Sequence, residues 1–195
     1  RTACETRHPS SSSFPLDSSC IETNPPFHTC HNLMNFTLLP TESLDELSRV
    51  ARQSPRLRKN FNMHPHLEST VQRLFNAMEP GTYVRPHRHA RPNGWEMMLI
   101  VRGRFDILLF DEAGKLTHRH KLGEKSHLTA AEIPAFTWHS VISLESGTVM
   151  FEVKEGPYQP VSPSDFAPWA PGEEEVQATA TFMRWAEKAQ VGDQL

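Results

Sequence analysis

The sequence has few cysteines, little net charge and no long apolar run. Its 195 residues include three cysteines, and 20 Lys and Arg stand against 23 Asp and Glu. A charge so close to neutral disfavours binding to nucleic acid or to an anionic membrane through a broad electrostatic field. No apolar stretch reaches the ~18 residues of a membrane-spanning helix, and the start lacks the order of a signal peptide. We therefore expect a cytoplasmic protein without nucleic-acid or membrane partners.

The cysteines are confined to the start of the chain. Cys4, Cys20 and Cys30 all precede the part whose pattern indicates a folded domain. We therefore expect no disulfide framework. A zinc cluster with His28 and His31 is the alternative, but the absence of any CxxC spacing disfavours it.

Composition divides the chain into a leader and one domain. Residues 1–33 are rich in Ser, Pro and Thr and have no helical or strand period, which predicts a disordered leader. The sequence does not begin with Met, and the change of composition at Met34 favours a natural start there. The remaining residues, 34–195, suit a single domain with a buried core.

Two helices are expected, one at each end of this domain. Apolar residues at helical spacing predict a short helix that begins near Thr41 and ends at Pro55. The basic run 56–60 that follows is either solvated or meets an anion. Near the C-terminus, the segment EEEVQATATFMRWAEKAQ predicts a closing helix with acidic residues in its first turn.

Between these helices the pattern is that of an all-β barrel or jelly roll. Short apolar segments alternate with Gly, Pro and Asp, which is typical of strands and turns. The predicted strands are VQRLFNAM, TYVRPH, WEMMLIVRG, RFDILLFD, KLTHRHKL, LTAAEIP, WHSVISLE and TVMFEVK. Residues 157–172 contain five prolines and are predicted to cross the barrel as an ordered loop, because proline cannot pair in the middle of a sheet.

Histidine pairs are the first sign of chemistry. Three pairs have the form HxH, namely His64 with His66, His87 with His89, and His118 with His120. Residues two apart in a strand share a face at roughly 7 Å, so such a pair can direct two imidazoles toward one ion. His118 and His120 lie in the polar stretch THRHK and are predicted to face solvent. Pro65 breaks the strand geometry between His64 and His66, although either histidine could reach the mouth of a site.

His87 and His89 differ from the other pairs because an apolar strand follows them. That strand carries a single acidic residue, Glu96, among Trp, Met, Leu and Ile side chains. A carboxylate in such surroundings is costly unless something compensates its charge. A metal ion would do so, and an ion pair with Arg102, Arg104 or another base is the alternative.

These residues resemble the first cupin motif. Gly81, His87, His89, Glu96 and Gly103 follow one another in the order of that motif. Six residues separate His89 from Glu96, more than is usual, and the sequence ARPNG between them is consistent with a small inserted loop.

His139 is the fourth candidate ligand. It lies in the apolar stretch EIPAFTWHSVISL, where a lone histidine could equally be a hydrogen-bonded core residue. Pro134 and the sequence TWH that ends at His139 resemble the second cupin motif. Phe136 stands at the position of that motif's glycine, and Ser143 stands at the position of its asparagine.

The resemblance implies both a fold and a metal site. In cupins the two motifs converge inside a double-stranded β-helix and hold Fe, Mn, Zn, Ni or Co. We therefore expect an all-β cupin jelly-roll barrel with a short N-terminal helix and a C-terminal helix. The implied ligands of one divalent metal ion are His87, His89, Glu96 and His139. Because cupins commonly pair through their sheets, the resemblance also implies a homodimer.

A closer resemblance covers nearly all of residues 34–185. The phrases SPRLRKNFNMH, VQRLFNAMEPGTYVRPHRH, WHSVI, FEVKEGPYQP and DFAPWAPGEE resemble the WbuC-type cupin metalloproteins. These bacterial proteins are often encoded beside genes for surface polysaccharide synthesis. The resemblance implies a place in that biosynthesis, including lipopolysaccharide O-antigen, but no reaction.

Two functions remain open, with a third that shares the ligand set. The first is a metal-dependent isomerase or epimerase of a sugar or nucleotide-sugar. Its candidate residues are His64, Glu152, Lys154 and Tyr158 for catalysis and Arg73, Tyr83 and Arg85 for substrate binding. The second is a non-catalytic metal-dependent binder or sensor of a small ligand, and the third is an iron-dependent dioxygenase. An acid or base beside the metal, inside the barrel, would favour an enzyme over a binder.

Overall fold

The computed structural model describes residues 30–31 and 37–195. Most of the predicted leader, 1–33, therefore lies outside the described residues, together with Cys4, Cys20 and His28 and with the natural start predicted at Met34. The disordered leader and the disfavoured zinc cluster stay predictions.

The described residues form two α-helices, one short 3₁₀ helix and ten strands. The helices are α1 (Thr41–Gln53) and α2 (Val176–Ala186), and the 3₁₀ helix is Pro163–Asp165. The strands are β1 (Cys30–His31), β2 (Thr37–Leu38), β3 (Arg58–Asn62), β4 (Val71–Met78), β5 (Glu96–Arg102), β6 (Arg104–Phe110), β7 (Leu116–Gly123), β8 (Ala130–Ile133), β9 (Trp138–Ser143) and β10 (Thr148–Glu155). No helix in this part of the chain is long and apolar enough to cross a membrane.

Two antiparallel sheets face each other and make the barrel. One sheet has the strand order β3-β4-β10-β5-β8, and the other has the order β7-β6-β9. Strands β1 and β2 pair with each other and form a separate two-stranded antiparallel sheet. This arrangement, with one helix before the barrel strands and one after, confirms the predicted all-β, double-stranded β-helix fold class.

The apolar core lies between the two sheets because alternate residues of each strand point inward. Phe105 and Ile107 of β6 pack there with Val141 of β9. Met98 of β5 and Met150 of β10 meet them from the other sheet. All five side chains are buried. These apolar side chains fill one end of the barrel. The other end is left for polar residues.

Each helix covers the outer face of one sheet. In α1, Leu47 and Ala51 recur at helical spacing and pack on Phe61 of β3 and Ala77 of β4. The helix begins at Thr41, with Pro40 as the N-cap residue and no side-chain cap. In α2, Phe182 and its neighbours pack on the outer face of the three-stranded sheet.

Two elements differ from the sequence prediction. The basic run 56–60 does not remain a connection, because Arg58–Asn62 pairs with β4 as an edge strand. The predicted strand TYVRPH forms no continuous ladder and contributes only isolated bridges at His87. The proline-rich loop runs beside that segment, where Ala167 N donates to Pro86 O at 2.9 Å.

Candidate metal centre

Three separate segments of the chain carry histidine or glutamate to one end of the barrel. His87 pairs through its backbone with His139, with N···O distances of 3.0 and 2.9 Å. Glu96 is the first residue of β5, and it points inward because it shares a face with buried Met98. His89 lies between these elements, two residues after His87.

The four side chains converge on a common point. One nitrogen or oxygen atom from each of His87, His89, Glu96 and His139 lies within 4.8 Å of the other three. Glu96 Oε1 is 2.5 Å from His139 Nε2 and 3.4 Å from His89 Nε2. Despite these short distances, the three atoms are buried without a hydrogen bond of acceptable geometry. Polar atoms that face one another in this way fit a cation between them.

Backbone carbonyls fix which nitrogen of two imidazoles is free. His87 Nδ1 lies 2.9 Å from Arg85 O, and His139 Nδ1 lies 2.9 Å from Thr137 O. Since a carbonyl accepts only a proton, each Nδ1 carries the hydrogen and each Nε2 presents its lone pair to the cluster. This is the arrangement by which proteins orient histidine ligands of metals.

Burial and mutual charge set the protonation of the cluster. Burial alone would raise the pKa of Glu96, but the charge of His139 and the close approach of the His139 and His89 imidazoles bring it well below its usual value. Burial would lower the pKa of His139, but the negative charge of Glu96 outweighs this effect, so the pKa of His139 is raised. Burial and the charge of His139 lower the pKa of His87 to about 3. The ionised carboxylate of Glu96 and the neutral imidazole of His87 suit a divalent cation, which would take the place of the proton on His139.

The two arginines that could have neutralised Glu96 are engaged elsewhere. Arg102 donates to Asp45 Oδ1 of α1 at 2.5 Å, and Arg104 lies 3.4 Å from Glu145 Oε1. The ion pairs with these two arginines are therefore absent at the cluster, and the base that does lie near Glu96 is Lys154, whose Nζ is 4.0 Å from Glu96 Oε2.

A tight loop accommodates the long spacing between His89 and Glu96. Gly94 N donates to Arg91 O at 2.9 Å, and Arg91 N donates to His89 O at 2.9 Å. A Cβ atom on Gly94 would lie 2.5 Å from His89 O, so only glycine allows this close approach. The insertion therefore folds back on His89 instead of displacing it.

A charged pair, with Glu152 buried and Lys154 half-buried, lies next to the cluster. Lys154 Nζ is 2.5 Å from Glu152 Oε1 and 4.0 Å from Glu96 Oε2. Asn76 Nδ2 donates to Glu152 Oε2 at 2.8 Å. Burial would lower the pKa of Lys154, but the charges of Glu152 and Glu96 outweigh it and raise that pKa above its ordinary value. Lys154 is therefore a half-buried cation beside the cluster.

The sequence did not lead us to predict Asn76 as a site residue, although the strand pattern around it contained a signal. Asn76 is two residues from inward-facing Met78 in β4, and this alternation places it on the inner face. What the sequence could not supply is that β4 lies beside β10, which carries Glu152.

A cavity of about 160 Å³ opens beside the cluster. His89 and Lys154 line it on the side of the metal-ligand candidates, and Tyr158, Gln72 and Arg91 line it elsewhere. Tyr158 belongs to the proline-rich segment and is about half exposed. A small ligand in this cavity would contact both the cluster and the charged pair.

The remaining catalytic candidate, His64, is buried near the edge of the five-stranded sheet. Its Nδ1 lies 3.0 Å from both the backbone N and the backbone O of Arg73. That Nε2 is buried without a hydrogen-bond partner among the described residues. His64 is not one of the four clustered residues.

The three predicted substrate-binding residues lie apart from the cluster. Arg73 is exposed on the outer face of β4, because it alternates with inward-facing Gln72. Tyr83 is buried, and its hydroxyl donates to Pro171 O at 2.7 Å. Arg85 donates to Ala170 O at 3.2 Å.

The other two histidine pairs do not join the site. The rings of His118 and His120 stack on each other with centroids 5.8 Å apart, and His118 is exposed. His66 is exposed as well. The cluster contains only the pair His87 and His89, together with Glu96 and His139.

Comparisons with known proteins identify similar sequences and structures but no reaction. The family described as "Domain of unknown function (DUF6016)" matches residues 39–122. No curated protein matches the chain. Similar solved structures include cupin-superfamily proteins, at sequence identities between 12% and 19%.

Three of these structures illustrate the range. KdgF from Halomonas sp. is 19% identical, with 54% of this chain and 84% of that chain covered and a TM-score of 0.42. A cupin 2 domain-containing protein from Halorhodospira halophila is 12% identical, with 70% and 85% covered and a TM-score of 0.44. Salicylate 1,2-dioxygenase from Pseudoaminobacter salicylatoxidans is 13% identical, with 60% and 33% covered and a TM-score of 0.46. Likeness at this level assigns no activity.

Proposed function

We propose that the chain is a metal-dependent enzyme that acts on a small polar substrate. The observation that carries the proposal is the ion pair of buried Glu152 with half-buried Lys154, whose Nζ lies 4.0 Å from Glu96 Oε2. A binder or sensor needs no acid and base at this place. Proton transfer to or from a bound substrate does need them.

The residues divide into those that hold the metal and those that move protons. His87, His89, Glu96 and His139 would hold one divalent ion, which when bound supplies a Lewis acid that polarises a substrate oxygen. Glu152 would accept a proton from a carbon of the substrate. In an isomerisation it would return that proton to the neighbouring carbon; in an epimerisation it would pass the proton to water while water supplies one to the opposite face of the same carbon. Lys154 stabilises the ionised carboxylate of Glu152 and donates a hydrogen bond to the developing negative charge.

The proposed reaction is an isomerisation or epimerisation of a sugar. The cavity has a volume of about 160 Å³, which is smaller than the roughly 300–1,000 Å³ of pockets that bind drug-sized ligands. It suits a sugar unit, and the nucleotide of a nucleotide-sugar would remain outside. Arg91 and Tyr158, which line the cavity, are better placed than Arg73 to meet such a substrate. The role in bacterial surface polysaccharide synthesis rests on the sequence resemblance alone.

The test combines elemental analysis with a screen of sugars and nucleotide-sugars for turnover. We expect one divalent metal per chain and turnover that chelation removes. Glu152→Gln keeps the shape of the side chain but removes its basicity, so we expect a loss of roughly 10²–10⁴-fold in turnover with the metal retained. His118→Ala, which changes an exposed histidine outside the cluster, is the matched control and should behave as the unchanged protein.

Two results would reject this assignment. Tight binding of a sugar without turnover, unaffected by Glu152→Gln, would make the chain a binder. Oxygen consumption that depends on iron, with no sugar conversion, would instead indicate a dioxygenase.

A further inference from the structure

An exposed phenylalanine has a strained backbone at the metal end of the barrel. Phe136 lies between β8 and β9, three residues before His139, and its φ is 65°. This left-handed region disfavours every residue that has a Cβ atom, and glycine adopts it without strain. Strain of this kind is concentrated at binding and catalytic sites. Phe136 is therefore a candidate for a role in binding.

Packing does not offset the strain at Phe136. Two other residues of the described chain that are not glycine have a positive φ, Leu57 at 54° and Lys125 at 64°. Leu57 is partly buried, so contacts with the fold can compensate it, and Lys125 is a polar residue in the exposed turn after β7. Phe136 is instead a large apolar ring that is 54% exposed. More than half of the ring is thus available to a ligand.

The backbone of Phe136 is bound to that of a metal-ligand candidate. Phe136 N donates to His89 O at 3.1 Å, and Arg91 N donates to the same oxygen at 2.9 Å. Because both amides reach one carbonyl, Phe136 and Arg91 are neighbours beside His89, which lines the cavity. We call Phe136 and Arg91 the rim residues.

The guanidinium of Arg91 has free capacity to bind an anion. Arg91 lines the cavity, and its Nη2 donates to Glu155 O at 2.8 Å. Among residues 37–195 this is the one hydrogen bond that its guanidinium makes, so further N–H groups remain for a ligand. Arginine binds phosphate groups through paired N–H donors. The rim therefore combines an aromatic face with a phosphate-binding cation.

We propose that the rim residues bind the nucleoside diphosphate of a nucleotide-sugar, with the base stacked on Phe136 and the diphosphate at Arg91. This inference rests on the proposed function, because it assumes that the sugar unit occupies the cavity. At about 160 Å³ that cavity holds one such unit, so the nucleotide lies outside it. Stacking of a base on an aromatic side chain strengthens binding by roughly 5- to 150-fold and tolerates any base.

The two rim residues together distinguish a nucleotide-sugar from simpler sugars. A free sugar offers no phosphate to Arg91. A sugar phosphate would bind Arg91, but it has no planar group for the exposed ring. A ligand that carries both a diphosphate and a base uses both residues, and its stacking offsets the strain at Phe136.

Calorimetric titration of the full, metal-loaded chain tests the rim. The probes are UDP, dTDP, GDP, ADP and inorganic pyrophosphate. At least one nucleoside diphosphate should bind about fivefold or more tightly than pyrophosphate. Phe136→Gly should remove this preference and leave pyrophosphate binding unchanged, whereas Phe136→Trp should keep it. Arg91→Gln should weaken the binding of all five probes.

The matched control is Lys125→Gly, which relieves the same backbone conformation at an exposed residue that does not line the cavity. Both glycine variants should melt roughly 2–4 °C above the unchanged protein, because glycine adopts a positive φ without strain. Phe136→Gly alone should lose the preference for nucleoside diphosphates. A variant that becomes more stable but loses its ligand shows that the strained ring serves binding.

Each remaining result would overturn the proposal. These results are equal affinity for all five probes, a preference that Phe136→Gly retains, and a preference that Tyr158→Ala removes while Phe136→Gly does not. A lower melting temperature of Phe136→Gly would show that the ring serves the fold instead. Turnover of a free sugar without any nucleotide preference rejects this inference and leaves the proposed function standing. A preference that depends on Phe136, without turnover, does the reverse.

Discussion

At the scale of single residues, the site is determined by which atoms lack partners. The imidazoles of His87 and His139 are oriented by backbone carbonyls, and His139 Nε2 lies 2.5 Å from Glu96 Oε1. Glu96 is 2% exposed, so its carboxylate is shielded from water and depends on its neighbours for compensation. The carboxylate is therefore the residue whose charge most determines whether a cation binds.

Replacing Glu96 with glutamine tests this dependence. Glu96→Gln keeps the size and removes the negative charge, and we expect metal affinity to fall by at least about 100-fold, since even outer-shell changes cost 10–100-fold. Competition with a chromophoric chelator measures the affinity. The control is Glu132→Gln, the same substitution on an exposed residue of β8. Equal affinities for the two variants would exclude Glu96 as a ligand.

At the scale of elements, ion pairs hold the segment before α2 against the start of edge strand β3. Arg56 and Arg58 both donate to Glu173 Oε1, at 2.6 and 2.8 Å. The basic run therefore does meet an anion, and that anion belongs to the chain itself. Glu175 Oε1 accepts from Gly172 N at 2.7 Å. These contacts explain why α2 begins only at Val176, although the sequence predicted a helix from the preceding glutamates.

The ion pairs of Glu173 should stabilise the fold in a pH-dependent way. Burial raises the pKa of Glu173, but the hydrogen bond and charge of Arg56 and those of Arg58 outweigh it and leave that pKa below 4.5. A group with a lowered folded pKa stabilises the fold above its unfolded pKa, and this stabilisation is lost as pH falls through the folded pKa. Glu173→Gln should therefore reduce the unfolding free energy at pH 7, by less than about 1 kcal/mol because the carboxylate is partly exposed.

Urea denaturation of this variant and of the unchanged protein measures the difference. The two should differ at pH 7 and converge when the pH is well below 4.5. Glu174→Gln, a change at the adjacent exposed residue, should leave the stability unchanged at both values. A difference for Glu173→Gln that persists in acid would show that the side chain acts through packing instead.

Individual strands show which parts of the fold could be predicted from the sequence and which could not. β4 was predicted with its observed bounds, Val71–Met78, because its apolar residues are bounded by turn residues. β3 was missed because Phe61 is its only fully buried residue, so it has no alternating pattern. The metal-ligand candidates were found by motif, whereas the contact of Asn76 with Glu152 joins residues 76 positions apart. Such a contact follows from strand order, which no local pattern contains.

At the scale of the whole molecule, the cluster connects the two sheets. Glu96 begins a strand of the five-stranded sheet, and His139 lies in the three-stranded sheet. His87 lies in the connection between them, in backbone contact with His139. An ion bound by all three would link distant parts of the chain in the folded state only.

Removal of the metal should therefore lower the melting temperature without abolishing the fold. The apolar core and both helices contain none of the four ligand candidates, so circular dichroism should keep its β-sheet form after chelation. Saturation about 1,000-fold above the dissociation constant stabilises a protein by ~4 kcal/mol, which corresponds to roughly 8–16 °C in a domain of this size. Scanning calorimetry before and after chelation, and after metal is restored, measures the shift. The Glu96→Gln variant should melt at one temperature in all three conditions, and an equal response to metal in that variant would place the stabilising ion elsewhere in the molecule.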